Sequence, residues 1–247
     1  MGSIAQSSTR SSGAAIFHRW QAAGLRRRRR FVSLIVGLCL VTISGLVGAT
    51  PASAAIQDGR VLPASALVHG WTLDRAVQAT FAWNTGDRTA PPPKTPFQIL
   101  FVQGDGHTSY PGNGQVVRNS RAFQVPAGTA FFLPVAYNND VPPVVGTFPT
   151  THSRALGYWY DQAQLGTRFA SISIDGRSTP LSHDYLVGPL RQPGSNIHLV
   201  EEAALISALP KGHHVVTVSF TWAGALIKGA FGTTFYTFEG TFPITVG

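Results

Sequence analysis

The sequence predicts an all-β fold, an antiparallel β-sandwich of jelly-roll type with one or two short helices. Three observations carry that expectation. First, residues 214–222 alternate with period two: Val216, Val218, Phe220 and Trp222 share one side, and Val215, Thr217, Ser219 and Thr221 the other, as in a strand with one face buried. Second, the segments between residues 97 and 246 that favour extended chain are short and are punctuated by Gly and Pro turns, the spacing of a sandwich rather than of βαβ units. Third, residues 121–140 place a turn signal, Pro126-Ala127-Gly128, between two strand signals at 122–125 and 129–137. Proline fixes one φ and glycine frees another, so this stretch reads as a central β-hairpin. Its second arm, Ala130-Phe131-Phe132-Leu133 with Val135 and Ala136, is nearly continuous in apolar residues, the pattern of a strand buried on both faces. Pro134 cannot donate to a ladder and predicts a bulge or a change of sheet there.

The first 54 residues read as a leader. A Ser-, Ala- and Arg-containing segment ends in five arginines, Arg26 to Arg30; residues 31–47 are apolar; Ala52-Ser53-Ala54 is a small-x-small cleavage signal. That order is the order of a secretory signal peptide, and Arg28-Arg29-Arg30-Phe31-Val32 leaves the twin-arginine route and general secretion both open. An uncleaved anchor is the competing reading, since the apolar stretch approaches the length needed to span a bilayer. Polar and small residues such as Ser33, Gly37, Thr42 and Ser44 weigh against it.

Cleavage would reverse the electrostatic picture. Seven of the 19 Lys and Arg lie in the leader, leaving 12 basic residues against 11 acidic ones. All but one unit of the formal charge of +8 then belongs to the discarded piece, and the near-neutral remainder offers no basic stripe for nucleic acid. Membrane contact is expected only through the leader. Cys39, the one cysteine, sits in the apolar stretch. The mature part, residues 55–247, is thus expected to be disulfide-free and held by one core, and its length suffices for a single domain.

Taken in order, residues 55–67 have no periodicity and predict an extended or loosely attached start. Trp71, Val77, Phe81 and Trp83 fit one side of a helix or a strand. Residues 84–96, with three consecutive prolines, are loop; 97–102 are a strand; 104–114 are a Gly-rich loop. After the hairpin, 141–151 are irregular, 154–167 fit a short helix ended by Gly166, and 169–174 alternate as a strand leading into the tight turn Asp175-Gly176. Residues 195–209 are ambiguous between helix and strand. Lys211-Gly212 turns the chain into the alternating strand, and two further strands are expected at 233–238 and 241–246.

The chain resembles a group of uncharacterised secreted bacterial β-sandwich proteins in three motifs: Val125-Pro126-Ala127-Gly128 before an aromatic strand, Ile174-Asp175-Gly176, and Leu209-Pro210-Lys211-Gly212-His213-His214. The resemblance covers about the last two thirds of the mature chain. It lacks the cysteine expected before the first motif, where Phe123-Gln124 stands. It implies a fold, favours a strand at 203–209 and carries no catalytic residue.

For chemistry, the sequence has no Gly-x-Ser-x-Gly elbow and no mature cysteine, which argues against serine or thiol catalysis. His198 with Glu201 and Glu202 would chelate a metal only on a helix; on a strand His198 and Glu201 face opposite ways, and the trio is expected to be a solvated polar patch. His213 and His214 are adjacent at a strand entry and are expected at the surface. Asp105, His107 and Asn113 lack the spacing of a calcium loop. No metal and no cofactor is therefore expected. Ser182-His183-Asp184-Tyr185 is the densest run of polar reactive residues, with a local loop as the bland reading. Tyr158-Trp159-Tyr160 concentrates aromatic surface; not all three rings can face one core, and packing of two of them in the core is the favoured reading. Tyr158, Trp159, Tyr160, His183 and Asp184 are the candidate binding residues, and the expected partner is a glycan or another envelope component. The expected function is a secreted, non-catalytic binding protein. The alternative is an extracellular polysaccharide lyase or glycoside hydrolase that draws on His152, Tyr158, Tyr160, His183 and Tyr185 or on paired carboxylates.

Overall fold

The computed structural model of the protein describes residues 58–86, 90–102 and 106–247; the leader, Cys39 and Asp105 lie outside them. Within these residues the protein is mostly β, with two mixed sheets and three short α-helices. One sheet has the order β1 (Gln98–Ile99), β5 (Phe131–Asn139), β9 (His198–Ile206), β8 (Leu186–Arg191). The other runs β2 (His107–Ser109), β3 (Gln115–Ser120), β11 (Tyr236–Val246), β10 (Gly212–Trp222), β6 (Thr167–Ile174), β7 (Arg177–Pro180), and β4 (Phe123–Val125) also pairs with β11. Residues from both sheets contribute to one hydrophobic core. No helix among the described residues is long and apolar enough to cross a membrane.

The predicted central hairpin is not a hairpin. Its first arm, β4, pairs in parallel with β11, while its second arm, β5, lies in the other sheet between β1 and β9. Pro126 to Gly128 therefore carries the chain from one sheet to the other. Thr129 N–H closes the turn on the Pro126 carbonyl at 3.3 Å, Gly128 has φ +82°, and Ala127 N–H is tied to the C-terminal Gly247 carbonyl. The turn chemistry was right, but such a turn closes a hairpin only if its arms find each other rather than other partners. The parallel pairings of β1 on β5 and of β3 and β4 on β11 make the sheets mixed where antiparallel sheets were expected.

Strand β5 is otherwise as its sequence predicts. Phe131, Phe132 and Leu133 are fully buried, worth about 1.5–3 kcal/mol each for the apolar surface removed from water, and the register slips between Pro134 and Ala136. β6 and β7 meet at a turn in which Asp175 (φ +50°) and Gly176 (φ +82°) both take the left-handed conformation of a type I′ hairpin. In β10, Val216, Val218, Phe220 and Trp222 face the core. At the C-terminus one eleven-residue strand, β11, replaces the two that were expected. Gly240, between the two expected strands, sits opposite Val218 in mid-strand, where a Cβ would lie 2.9 Å from a Val218 methyl. The glycine answers to close packing, not to a turn.

The ambiguous segments resolve by partner. Helix α1 (Leu73–Asn84) is capped by Thr72 Oγ1, which accepts from Arg75 N–H at 3.2 Å, and buries Leu73, Ala76, Val77, Thr80 and Phe81 at helical spacing. Helix α2 (His152–Tyr160) starts from Thr151 in the same way and packs against β8 and β6, one strand from each sheet. Helix α3 (Ala225–Phe231), together with β2 and β3, was not anticipated; each is short, with little periodicity to reveal it. Of the strand expected at 97–102, only Gln98–Ile99 joins a ladder. Of the segment expected to be loose, the described residues are firmly held: Val61 bridges to Ile206, and Leu62 N–H donates to the Leu205 carbonyl at 2.9 Å.

Candidate functional site

Residues 198–206 form strand β9, and its partners decide what its carboxylates do. Successive side chains of a strand point to opposite faces. Glu201 turns toward α1, where Asn84 Nδ2 donates to its Oε1 at 3.1 Å. Glu202 turns toward α2, where Trp159 Nε1–H donates to Oε2 at 3.1 Å and the Tyr160 hydroxyl donates to Oε1 at 3.2 Å. Both glutamates have 0% exposure, so the solvated patch expected here is corrected to two buried carboxyls. The reason is the strand's position: β9 lies inside its sheet, with a helix supplying donors on each side. His198, at the strand's start, instead pairs through Nδ1 with Asp140 Oδ2 at 2.7 Å.

The Glu202 carboxyl is pushed up to about 7. Burial is the main cause, because a carboxylate loses its hydration, and the bonds from Trp159 and Tyr160 offset that loss only in part. Its neighbours respond in turn. Burial, then the charge and hydrogen bond of Glu202 and the charge of Asp184, drive the Tyr160 hydroxyl well above its usual range, so Tyr160 stays a neutral donor.

The aromatic triplet splits as helix geometry demands. Tyr158 (4% exposed) and Trp159 (0%) belong to the core. Tyr158 donates to the Val145 carbonyl at 2.6 Å and accepts from Asn138 Nδ2; Trp159 meets Trp222 edge to face at 5.2 Å. Burial removes both from any surface platform, a correction to the expected binding set. Tyr160, the third, is half-buried at the boundary. Its hydroxyl reaches inward to Glu202, while its ring lies on the exposed His183 ring, with centroids 4.0 Å apart and planes inclined by 32°.

His183 and Asp184 stand on a single turn of 3₁₀ helix, His183–Tyr185, that leads into β8. Ser182 Oγ donates to Asp184 Oδ2 at 3.2 Å, which fixes the carboxylate on that turn. Two open clefts flank it. The first, of about 500 Å³, is lined by Tyr160, Arg168, Phe169, Ser182, His183 and Asp184, among others. The second, of about 880 Å³, is lined by Asp74, His152, Ser182, Asp184, Tyr185 and Gly188, among others. Tyr160, His183 and Asp184 thus line one cleft. Tyr185 is buried and donates to the Leu62 carbonyl at 2.9 Å. His152 hydrogen-bonds through Nδ1 to the Gly188 carbonyl at 3.0 Å, on the far side of the turn from Tyr160.

On sequence alone Phe169 is passed over as a site residue, and Glu202 is placed only in a solvated patch. Phe169 is 49% exposed and lines the first cleft; it shares strand parity with Ser171 and Ser173, and an aromatic on that polar side is the signal that could have found it. Glu202 had no such signal, because two adjacent glutamates in a chain look the same whether solvated or buried. Among the described residues no cluster of three or more His, Cys, Asp or Glu could hold a metal ion.

His213 and His214 lie on opposite sides of β10, as expected. His213 Nδ1 contacts Thr245 Oγ1 at 3.1 Å. His214 Nδ1 pairs with Asp175 Oδ2 at 2.7 Å, and its Nε2 lies 2.9 Å from the Pro210 carbonyl. That network ties the β6–β7 turn to the start of β10 and stands apart from the clefts.

No family model matches the sequence, and the comparison with curated proteins finds no match. Among solved structures, a chain in the structure of PbICP-C in complex with falcipain-2 aligns over 61% of this chain and 99% of its own, at 11% identity and a TM-score of 0.20. A likeness that slight carries no argument about fold or function.

Proposed function

We propose that the protein is a secreted, non-catalytic β-sandwich that binds a glycan of the extracellular space or cell envelope at the cleft of Tyr160, His183, Asp184 and Phe169. On this reading the two sheets form a jelly-roll-like sandwich, with the parallel pairings on β11 as its departure from the antiparallel scheme. The observation that carries the binding role is the pair of stacked rings, Tyr160 on His183, lining an open cleft beside the exposed Phe169 and the carboxylate of Asp184. Apolar ring faces with a few fixed polar groups are what a sugar needs: rings for its C–H face and acceptors for its hydroxyls.

The competing reading is an extracellular carbohydrate-active enzyme, a polysaccharide lyase or glycoside hydrolase. One observation favours it: Glu202 carries an acid poised near neutrality, the range of a general acid. Its position argues against that role, since Glu202 is fully buried behind Tyr160 with each oxygen already accepting a hydrogen bond. A catalytic acid must reach the atom it protonates.

A glycan array probed with residues 55–247, followed by a reducing-end and unsaturated-product assay on every glycan bound, separates the two readings. The binding reading expects retained glycans, no turnover, and binding that survives Tyr160→Phe but weakens at least tenfold in His183→Ala. Turnover that is lost in Tyr160→Phe would overturn it in favour of the enzyme.

A further inference from the structure

We infer that the second cleft continues the binding site, and that the ligand is an extended polysaccharide chain crossing the turn at Ser182 and Asp184 rather than a single sugar. This rests on the glycan-binding reading of the first cleft and adds the length of its ligand.

Three features carry it. Ser182 and Asp184 line both clefts, so a ligand that reaches Asp184 from the Tyr160 side already stands at the mouth of the second cleft. The volumes, about 500 and about 880 Å³, each fall on the scale of about 300–1,000 Å³ that encloses a whole small ligand. Joined, they exceed what one sugar would fill. The two clefts also differ in chemistry in a way that suits successive units of one chain. The first offers rings for stacking. The second is lined by one tyrosine, Tyr185, which is itself buried, and by Ser65, Asp74 and His152, groups that hydrogen-bond hydroxyls.

The polar wall of the second cleft is built rather than incidental. His152 Nδ1 lies 3.0 Å from the Gly188 carbonyl. A carbonyl only accepts, so the neutral imidazole carries its proton on Nδ1, and Nε2 is left as an acceptor for a ligand hydroxyl. The carbonyl is held there by a glycine-specific backbone: Gly188 has φ +108°, and a Cβ would lie 2.4 Å from the Leu199 carbonyl oxygen.

The test is a titration series with β-1,4-linked oligomers of glucose and of N-acetylglucosamine, from one to six units, against residues 55–247. Affinity is expected to keep rising beyond two units. His152→Ala and Asp74→Asn, at two residues that line the second cleft, are each expected to weaken the longest bound oligomer about three- to tenfold, the scale of one hydrogen bond, while leaving the shortest unchanged. His183→Ala should weaken both. Affinity that is flat with length, with His183→Ala still damaging, would overturn the extension and leave the single-cleft reading standing. Absence of binding at every length would overturn both.

Discussion

Strands β9 and β10 are long elements of nine and eleven residues in different sheets, and the chain uses them in opposite ways. From Val215 onward β10 alternates: its inward residues are apolar, and its outward ones are small hydroxyls and Val215, which is 43% exposed. β9 is buried at every position from Leu199 to Ile206, and two of those positions are carboxyls. A strand with one wet face can place polar residues at no cost, and it serves mainly to close the core. A strand with no wet face must satisfy each polar group through a neighbour, so Glu202 binds α2 to the sheet and sets Tyr160 at the cleft. The strand that is harder to read is the one that positions the site.

The sharpest way to break this contrast is to remove the neighbour. Trp159→Ala deletes the side chain that both donates to Glu202 and packs on Trp222 of β10. It is expected to cost about 3–5 kcal/mol, read as a fall in the urea midpoint at constant slope. A cost below about 1 kcal/mol would mean that Glu202 does not depend on α2.

The next effect concerns pH. Because the folded-state value of Glu202 is about 7 against an ordinary 4.5, the folded state holds this proton more tightly than the unfolded chain. Its contribution to stability is therefore complete below about pH 4.5 and is lost as pH rises through about 7, a loss of about 3 kcal/mol. Glu202→Gln keeps an acceptor for Trp159 and gives Tyr160 a donor, and carries no charge. The stability difference between wild type and this variant should move by about that amount between pH 4.5 and 8, in favour of the variant at the higher pH. A constant difference would contradict the assignment.

The smallest effect sits at the β6–β7 turn beside the start of β10 and has the opposite sign. Burial alone would raise the Asp175 carboxyl, but hydrogen bonds from His214 and from Val215 N–H, with the charges of His214 and Arg177, outweigh it and hold the carboxyl below its usual range. Its contribution is present above the ordinary value of 3.8 and is lost as pH falls through the lowered one. Asp175→Asn tolerates the same left-handed backbone. At this largely exposed site it is expected to cost at most about 1 kcal/mol at pH 7, and less as the pH falls below 3.8. A cost that grows toward acid would reverse the assignment.

The same contrast explains what could be read from the chain alone. β10, β6 and the Asp175-Gly176 turn were legible because alternation and turn chemistry are local properties. The burial of β5 was legible because Phe131, Phe132 and Leu133 leave no polar face. Pairing was not: nothing in residues 121–137 says that β4 will run beside β11 while β5 enters the other sheet. Nor does the chain show that Gly240 is a close contact with Val218 rather than a turn. Of the site, Tyr160, His183 and Asp184 were singled out by their chemical character, but the chain left open whether they meet at one cleft. That two of the three rings at 158–160 pack inward is the reading the sequence favours, but the chain does not say which two, because which face of α2 is wet depends on β6 and β8. Phe169 and Glu202 came to light only through the surfaces they meet.

The central claim is that a glycan sits against the Tyr160 and His183 rings, and aromatic-region NMR of isotopically labelled protein during titration with an array-positive oligosaccharide tests it most directly. The ring signals of Tyr160, Phe169 and His183 should shift together and saturate with one binding constant, while Tyr158, two positions away but buried, stays fixed. Saturable binding that leaves these three rings unmoved, and instead shifts residues around the exposed Leu67 or Tyr110, would contradict the assignment of the site.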